Sequence, residues 1–93
     1  MISRIVWLEE AELGFARIWQ AVDPATREIL TRQVYSLRDA LREDPENVGE
    51  SRDGNRRIAS FRPLGVSFEV DWDRSTVWIQ SVHYAAGTAE GEP

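Results

Sequence analysis

Val66, Phe68 and Val70 alternate with Ser67, Glu69 and Asp71, the period of two that marks a strand with one buried face. A β-rich run lies on each side of it, Arg56 to Arg62 and Thr76 to Tyr84, set off by the turn signals Pro63-Leu64-Gly65 and Asp71-Trp72-Asp73-Arg74. Turns that short force antiparallel neighbours, so residues 56–84 read as a three-stranded meander. In the last run Val77 and Ile79 point one way, Trp78 and Val82 the other. Both faces are partly apolar there, which implies helices on one side and a partner or substrate on the other. Ile58, Phe68, Val70 and Ile79 are the expected core, each contributing about 1.5–3 kcal/mol on burial.

The preceding half supplies the cover. Ile2 to Leu8 is a short β-prone run expected at a sheet edge or beside the last strand. Glu9, Glu10 and Glu12 then open a helix where its macrodipole favours acids, and Leu8, Ala11, Phe15, Ile18, Trp19 and Val22 recur on one face. Gly14 interrupts that face, which points to close packing against a neighbouring element. Asp23-Pro24 is a favoured cap and first helical residue for a second helix, with Leu30, Val34, Leu37 and Leu41 as its apolar stripe. Asp44-Pro45 stops it. Residues 45–55 read as a polar loop ending in Asp53-Gly54, and residues 85–93 as a tail with nothing to bury. The predicted order is β-α-α-β-β-β, an α+β fold with a helical hairpin packed on a small antiparallel sheet, in a single domain over residues 1–84.

Ninety-three residues support one core and no second. The chain has no cysteine and one histidine, so neither a zinc site nor any other metal or cofactor is expected. No glycine-rich phosphate loop follows a strand; Gly49, Gly54 and Gly65 are each expected in a turn. No signal-peptide core and no apolar run of membrane-spanning length is present, which implies a cytoplasmic protein with no membrane role. The net charge of −5 opposes general attraction to nucleic acid, but its distribution is uneven. Residues 1–50 hold six Arg against ten acids, whereas residues 52–62 hold four Arg and one Asp.

Those arginines carry the candidate chemistry. Cleaving RNA through its 2′-hydroxyl requires a base, cations for the phosphorane and an acid for the leaving oxygen. Arg57 and Arg62 can supply the cations, and His83, able to hold or release a proton near neutral pH, can supply the base or the acid, with Tyr84 beside it. Arg52 and Arg56 are placed as contacts to RNA or another target. The alternative stays open: the arginines form a solvated edge and His83-Tyr84 closes the strand. Ser81 and His83 share a strand face, but nothing orients them as a nucleophile and base. Of the four tryptophans, Trp72 and Trp78 suit a protein-binding surface.

The helical hairpin ending in Leu-Arg-Glu-Asp-Pro resembles part of the RelE/ParE superfamily of bacterial toxins. So do the loop Gly49-Glu50-Ser51-Arg52 and the strands carrying Arg56-Arg57-Ile58, Pro63 to Val70 and Val77 to His83. The likeness spans about residues 3–84 and lies in order and hydrophobic pattern. It implies the toxin subunit of a type II toxin–antitoxin pair, neutralised by a cognate antitoxin that covers the open sheet face or the groove beside the helices. RelE-like members cleave ribosome-bound mRNA without a metal, as mRNA interferases in stress responses; ParE-like members block DNA gyrase. The family's ribonucleases usually carry Arg on the middle strand where this chain has Gly65, and basic residues after the last strand where it has Ala85 and Ala86. The resemblance thus implies weak ribonuclease activity, or a noncatalytic member that keeps only its protein-binding role.

Overall fold

The computed structural model describes residues 2–85. Its order is β1 (Arg4–Trp7), α1 (Glu9–Ala21), α2 (Pro24–Glu43), a 3₁₀ turn (Pro45–Asn47), β2 (Glu50–Ser51), β3 (Arg56–Phe61), β4 (Leu64–Asp71), a second 3₁₀ turn (Trp72–Arg74) and β5 (Thr76–Tyr84). The expected tail lies outside the described residues, apart from Ala85. Among the described residues no helix is long and apolar enough to cross a membrane.

The helix boundaries follow local chemistry. The Asp23 carboxylate accepts the Thr26 N–H at 3.0 Å, and Pro24 opens α2 where no donor is needed. At the other end the Asp44 N–H returns to the Ala40 carbonyl before Pro45 halts the helix. Glu9, Glu10 and Glu12 occupy the first turn of α1, which has no side-chain cap.

The five strands lie in the order β1-β5-β4-β3-β2. β2 to β5 are antiparallel neighbours, but β1 runs parallel to β5, with Ile5 opposite Val77 and Trp7 opposite Ile79. The α+β class stands, with a mixed sheet in place of a wholly antiparallel one. Tight turns reverse β3, β4 and β5 in succession; the helices and the β2–β4 segment separate β1 from β5, and that long connection permits a parallel pairing. The polar loop also yields a two-residue edge strand, β2.

Val66, Phe68 and Val70 are buried, and Phe68 is fully enclosed together with Leu30, Leu37, Leu41 and Ile79. β3 departs from expectation. Ala59 is its buried residue, paired with Val66, whereas Ile58 is half-buried opposite Ser67 on the other face. In β5 a bulge leaves Gln80 unpaired: Ser67 faces Ser81 while Phe68 faces Ile79. The extra residue reverses the alternation beyond it. Val82, expected beside Trp78, joins Val77 and Ile79 in the core, and Ser81 and His83 turn to the open face. Gly14 brings α1 onto this strand: a Cβ there would lie 2.8 Å from the Val82 carbonyl oxygen. Trp7, Phe15 and Trp19 stack in series beside it, with ring centroids 5.8 and 5.9 Å apart.

Candidate functional site

The bulge decides what the open face offers. With β5 realigned, His83 sits opposite Gly65, Ser81 opposite Ser67, and Ser60 opposite Gly65 from the other side. A cleft of about 470 Å³ opens there, lined by Arg52, Ser60, Arg62, Gly65 and His83, with Glu50 at its edge. The His83 ring fills the room above Gly65: a Cβ at position 65 would lie 2.9 Å from both its Cδ2 and its Cε1.

Each side chain arrives from a different element. Arg52 follows β2, and its guanidinium donates to the Glu50 carboxylate at 3.2 Å, an exposed pair worth little to stability. Arg62 lies in the β3–β4 connection. Gln33 on α2 donates its amide to the Arg62 carbonyl at 2.6 Å, and the Ala85 N–H reaches the Pro63 carbonyl at 2.8 Å, so helix and final strand both tie down this turn. The Arg62 guanidinium and the His83 imidazole are exposed and have no hydrogen-bonding partner among the described residues. At the back of the same face the Ser67 and Ser81 hydroxyls share a hydrogen bond of 2.6 Å.

Thus Arg52, Arg62 and His83 come together. The other candidate residues stand elsewhere. Arg56 lies further along β3 opposite Glu69 and is 3.5 Å from the Asp53 carboxylate. Arg57 alternates to the helix-facing side opposite Phe68 and donates to the Val48 and Gly49 carbonyls at 2.9 and 3.0 Å. Tyr84 is exposed at the end of β5, opposite Leu64, and does not line the cleft.

Trp72 is 45% exposed in its 3₁₀ turn and donates its indole N–H to Glu46 at 2.7 Å. It shares a smaller cleft with Arg57, away from His83. Trp78 is half-buried on β5 opposite Glu69. Asp71, which ends β4, is held below the ordinary carboxylate range by hydrogen bonds from Arg74, with Trp78 adding to the effect.

One surface was not assigned from the sequence residue by residue. Between α1 and α2 runs an apolar groove of about 480 Å³, lined by Phe15, Ala16, Trp19, Val34 and Tyr35. Its signal was present in the stripes themselves: Phe15, Trp19 and Val34 lie on the apolar faces of the two helices, and both helices press more closely on the sheet than on each other. Arg27 crosses one end, its guanidinium carbon 5.4 Å from the Trp19 ring centroid.

These features define a small α+β protein with a basic cleft on the open face of its sheet and an apolar groove on the opposite, helical side. No family model matches the chain, and no curated protein sequence matches it. Solved structures do. The isolated RelE toxin of E. coli is 18% identical with a TM-score of 0.58, the match covering 87% of this chain and 82% of that one. A chain of the chromosomal ParDE toxin–antitoxin system from P. aeruginosa is 14% identical with a TM-score of 0.63, over 91% and 97%. A chain of the archaeal RelE–RelB complex from Pyrococcus horikoshii OT3 is 16% identical with a TM-score of 0.60, over the same shares. The fold is that of the RelE/ParE toxins.

Proposed function

We propose that this chain is the toxin subunit of a toxin–antitoxin pair, neutralised by a cognate antitoxin and acting on translation or on DNA gyrase. The observation that carries the reading is the convergence of Arg52, Arg62 and His83 in one cleft on a RelE/ParE fold. Two guanidiniums and an imidazole around an open floor suit a phosphate of a nucleic-acid target, with Ser60 as a further donor. An antitoxin has two surfaces to use: the groove lined by Phe15, Trp19 and Tyr35, and the sheet end bearing Trp72 and Trp78. The RelE and ParE neighbours of known structure include complexes with their antitoxins, which supports a partner of that kind.

The noncatalytic reading has its own observation. Gly65 supplies no cation to the cleft, and the His83 ring already fills the room above it. On this reading the protein binds its target through the cleft without cutting it. Expression in a bacterial host, alone and with an adjacent antitoxin gene, tests the toxin reading: growth arrest relieved by co-expression supports it, and unimpaired growth with soluble, folded protein opposes it. Cleavage of mRNA on programmed ribosomes by purified protein then separates enzyme from binder.

A further inference from the structure

We propose that Arg57 is a positioning residue: its guanidinium orders the segment that carries Glu50 and Arg52 to the cleft. Three observations converge on this role. Its Nε and Nη2 donate to two successive carbonyls, Val48 at 2.9 Å and Gly49 at 3.0 Å. The segment that follows has few other holds: β2 is two residues long and pairs with β3 through Glu50 and Ser51, with one further backbone bond from the Arg52 N–H. A strand that short is marginal at a sheet edge. Finally, Gly49 lies flat on β3 with φ of +70°, where a Cβ would come within 2.7 Å of the Ile58 carbonyl carbon. No side chain fits at position 49 between the segment and the sheet, so the backbone itself lies against β3 there, and the Arg57 fork grips its carbonyls.

The consequence reaches the cleft through the chain. Two residues beyond Ser51's neighbour Glu50, the Arg52 N–H donates to the Arg56 carbonyl at 2.8 Å, which closes the loop just before Arg57. Arg57 itself is absent from the cleft and faces the helix side beside Trp72. Its planar fork bridges two carbonyls in a way a lysine ammonium, a single point donor, does not reproduce. The ordering of the segment stands independently; its effect on ligands rests on the reading of the cleft as a phosphate site.

The test uses the full chain with Arg57→Ala, Arg57→Lys, Arg52→Ala and the Arg52→Ala/Arg57→Ala double variant. Backbone ¹⁵N relaxation reads order at Gly49 to Arg52, with β4 and β5 as internal reference. Order in that segment should fall in Arg57→Ala, fall less in Arg57→Lys, and hold in Arg52→Ala. An Arg57→Ala segment as rigid as wild type would overturn the proposal, and Arg57→Lys decides by the same criterion if the alanine variant does not fold. Titration with inorganic phosphate, followed at His83 and Gly65, reads the consequence. Arg57→Ala should weaken binding by about tenfold, as much as Arg52→Ala, the loss expected of one charge-assisted hydrogen bond. The double variant should be no weaker than Arg52→Ala alone, because Arg57 acts through Arg52. Losses that multiply would mean that Arg57 touches the phosphate itself, and the positioning role would fall. Wild-type protein that binds no phosphate removes the cleft reading, and the relaxation result alone then decides for or against Arg57.

Discussion

His83 occupies, from β5, the space that a side chain at Gly65 on β4 would take. The two residues are register partners, and the imidazole lies over the bare Cα so closely that a Cβ there would meet Cδ2 and Cε1 at 2.9 Å. The missing side chain at 65 and the exposed histidine at 83 are therefore one feature. At this point the cleft presents an imidazole delivered by the neighbouring strand.

Gly65→Ala should push the ring aside at small cost. His83 is exposed and its far end can swing, so stability should fall by less than about 1 kcal/mol. The ¹H–¹³C signals of the His83 ring should move, and in a His83→Ala background the Gly65 substitution should become neutral to stability. An unmoved His83 signal in Gly65→Ala would contradict the packing.

On the proposal that the chain acts as a RelE-like ribonuclease, its ribosome-dependent cleavage of mRNA should be slow. Absence of one preorganised cation from a phosphoryl-transfer site typically costs about 10²–10³ in rate, and Gly65 supplies none. Single-turnover assays against an ordinary RelE enzyme measure the gap. Cleavage at full rate that is lost on Arg62→Ala would place a rebuilt catalytic site in the cleft; loss on His83→Ala would make the histidine its acid or base.

Gly14→Ala should destabilise the protein although alanine is the better helix former by about 1 kcal/mol. The obstacle is the Val82 carbonyl oxygen, 2.8 Å from the added carbon and part of the sheet backbone, which cannot rotate away. A net loss of about 1–3 kcal/mol, the usual range for overpacking, is expected in urea unfolding. A gain in stability would show that α1 can ride away from β5 freely.

Acid should weaken the fold through two carboxylates, the exposed Asp23 and the half-buried Asp71. Hydrogen bonds from Thr26 hold Asp23 below its ordinary value of 3.8, and hydrogen bonds from Arg74, then Trp78, do the same for Asp71. A lowered folded pKa contributes stability that is fully present above the unfolded value and is lost as pH falls through the folded one. Asp23→Asn and Asp71→Asn should each flatten the stability profile below 3.8 and leave its slope near neutral pH unchanged. Parallel profiles for wild type and both variants at low pH would refute the assignment.

Binding of the proposed antitoxin should be sensitive to the exposed tryptophan. Trp72 is anchored through its N–H to Glu46 and presents its ring to solvent, a preorganised contact. Trp72→Ala or Trp78→Ala should weaken the complex by about 2 kcal/mol or more if the antitoxin covers this end of the sheet. Dissociation constants unchanged for both would move the interface to the groove of Phe15, Trp19 and Tyr35.

Much of the fold was legible in local chemistry. Asp23-Pro24 and Asp44-Pro45 mark helix boundaries because capping and the missing proline donor act within a few residues. The alternation of Val66, Phe68 and Val70 fixed the buried face of β4 because strand geometry has a period of two. What the chain could not declare was where that period breaks. Strict alternation from Val77 and Ile79 would send Ser81 and His83 into the core and Val82 out; the bulge at Gln80 reverses this, and it arises from fitting β5 against β4. The same kind of pairing put Ala59 rather than Ile58 in the core and turned Arg57 away from Arg62. Sequence alone could propose an arginine and histidine site, since residue chemistry is intrinsic. Only the tertiary structure chose Arg52, Arg62 and His83 for one cleft, because which residues share a face depends on register between strands far apart in the chain.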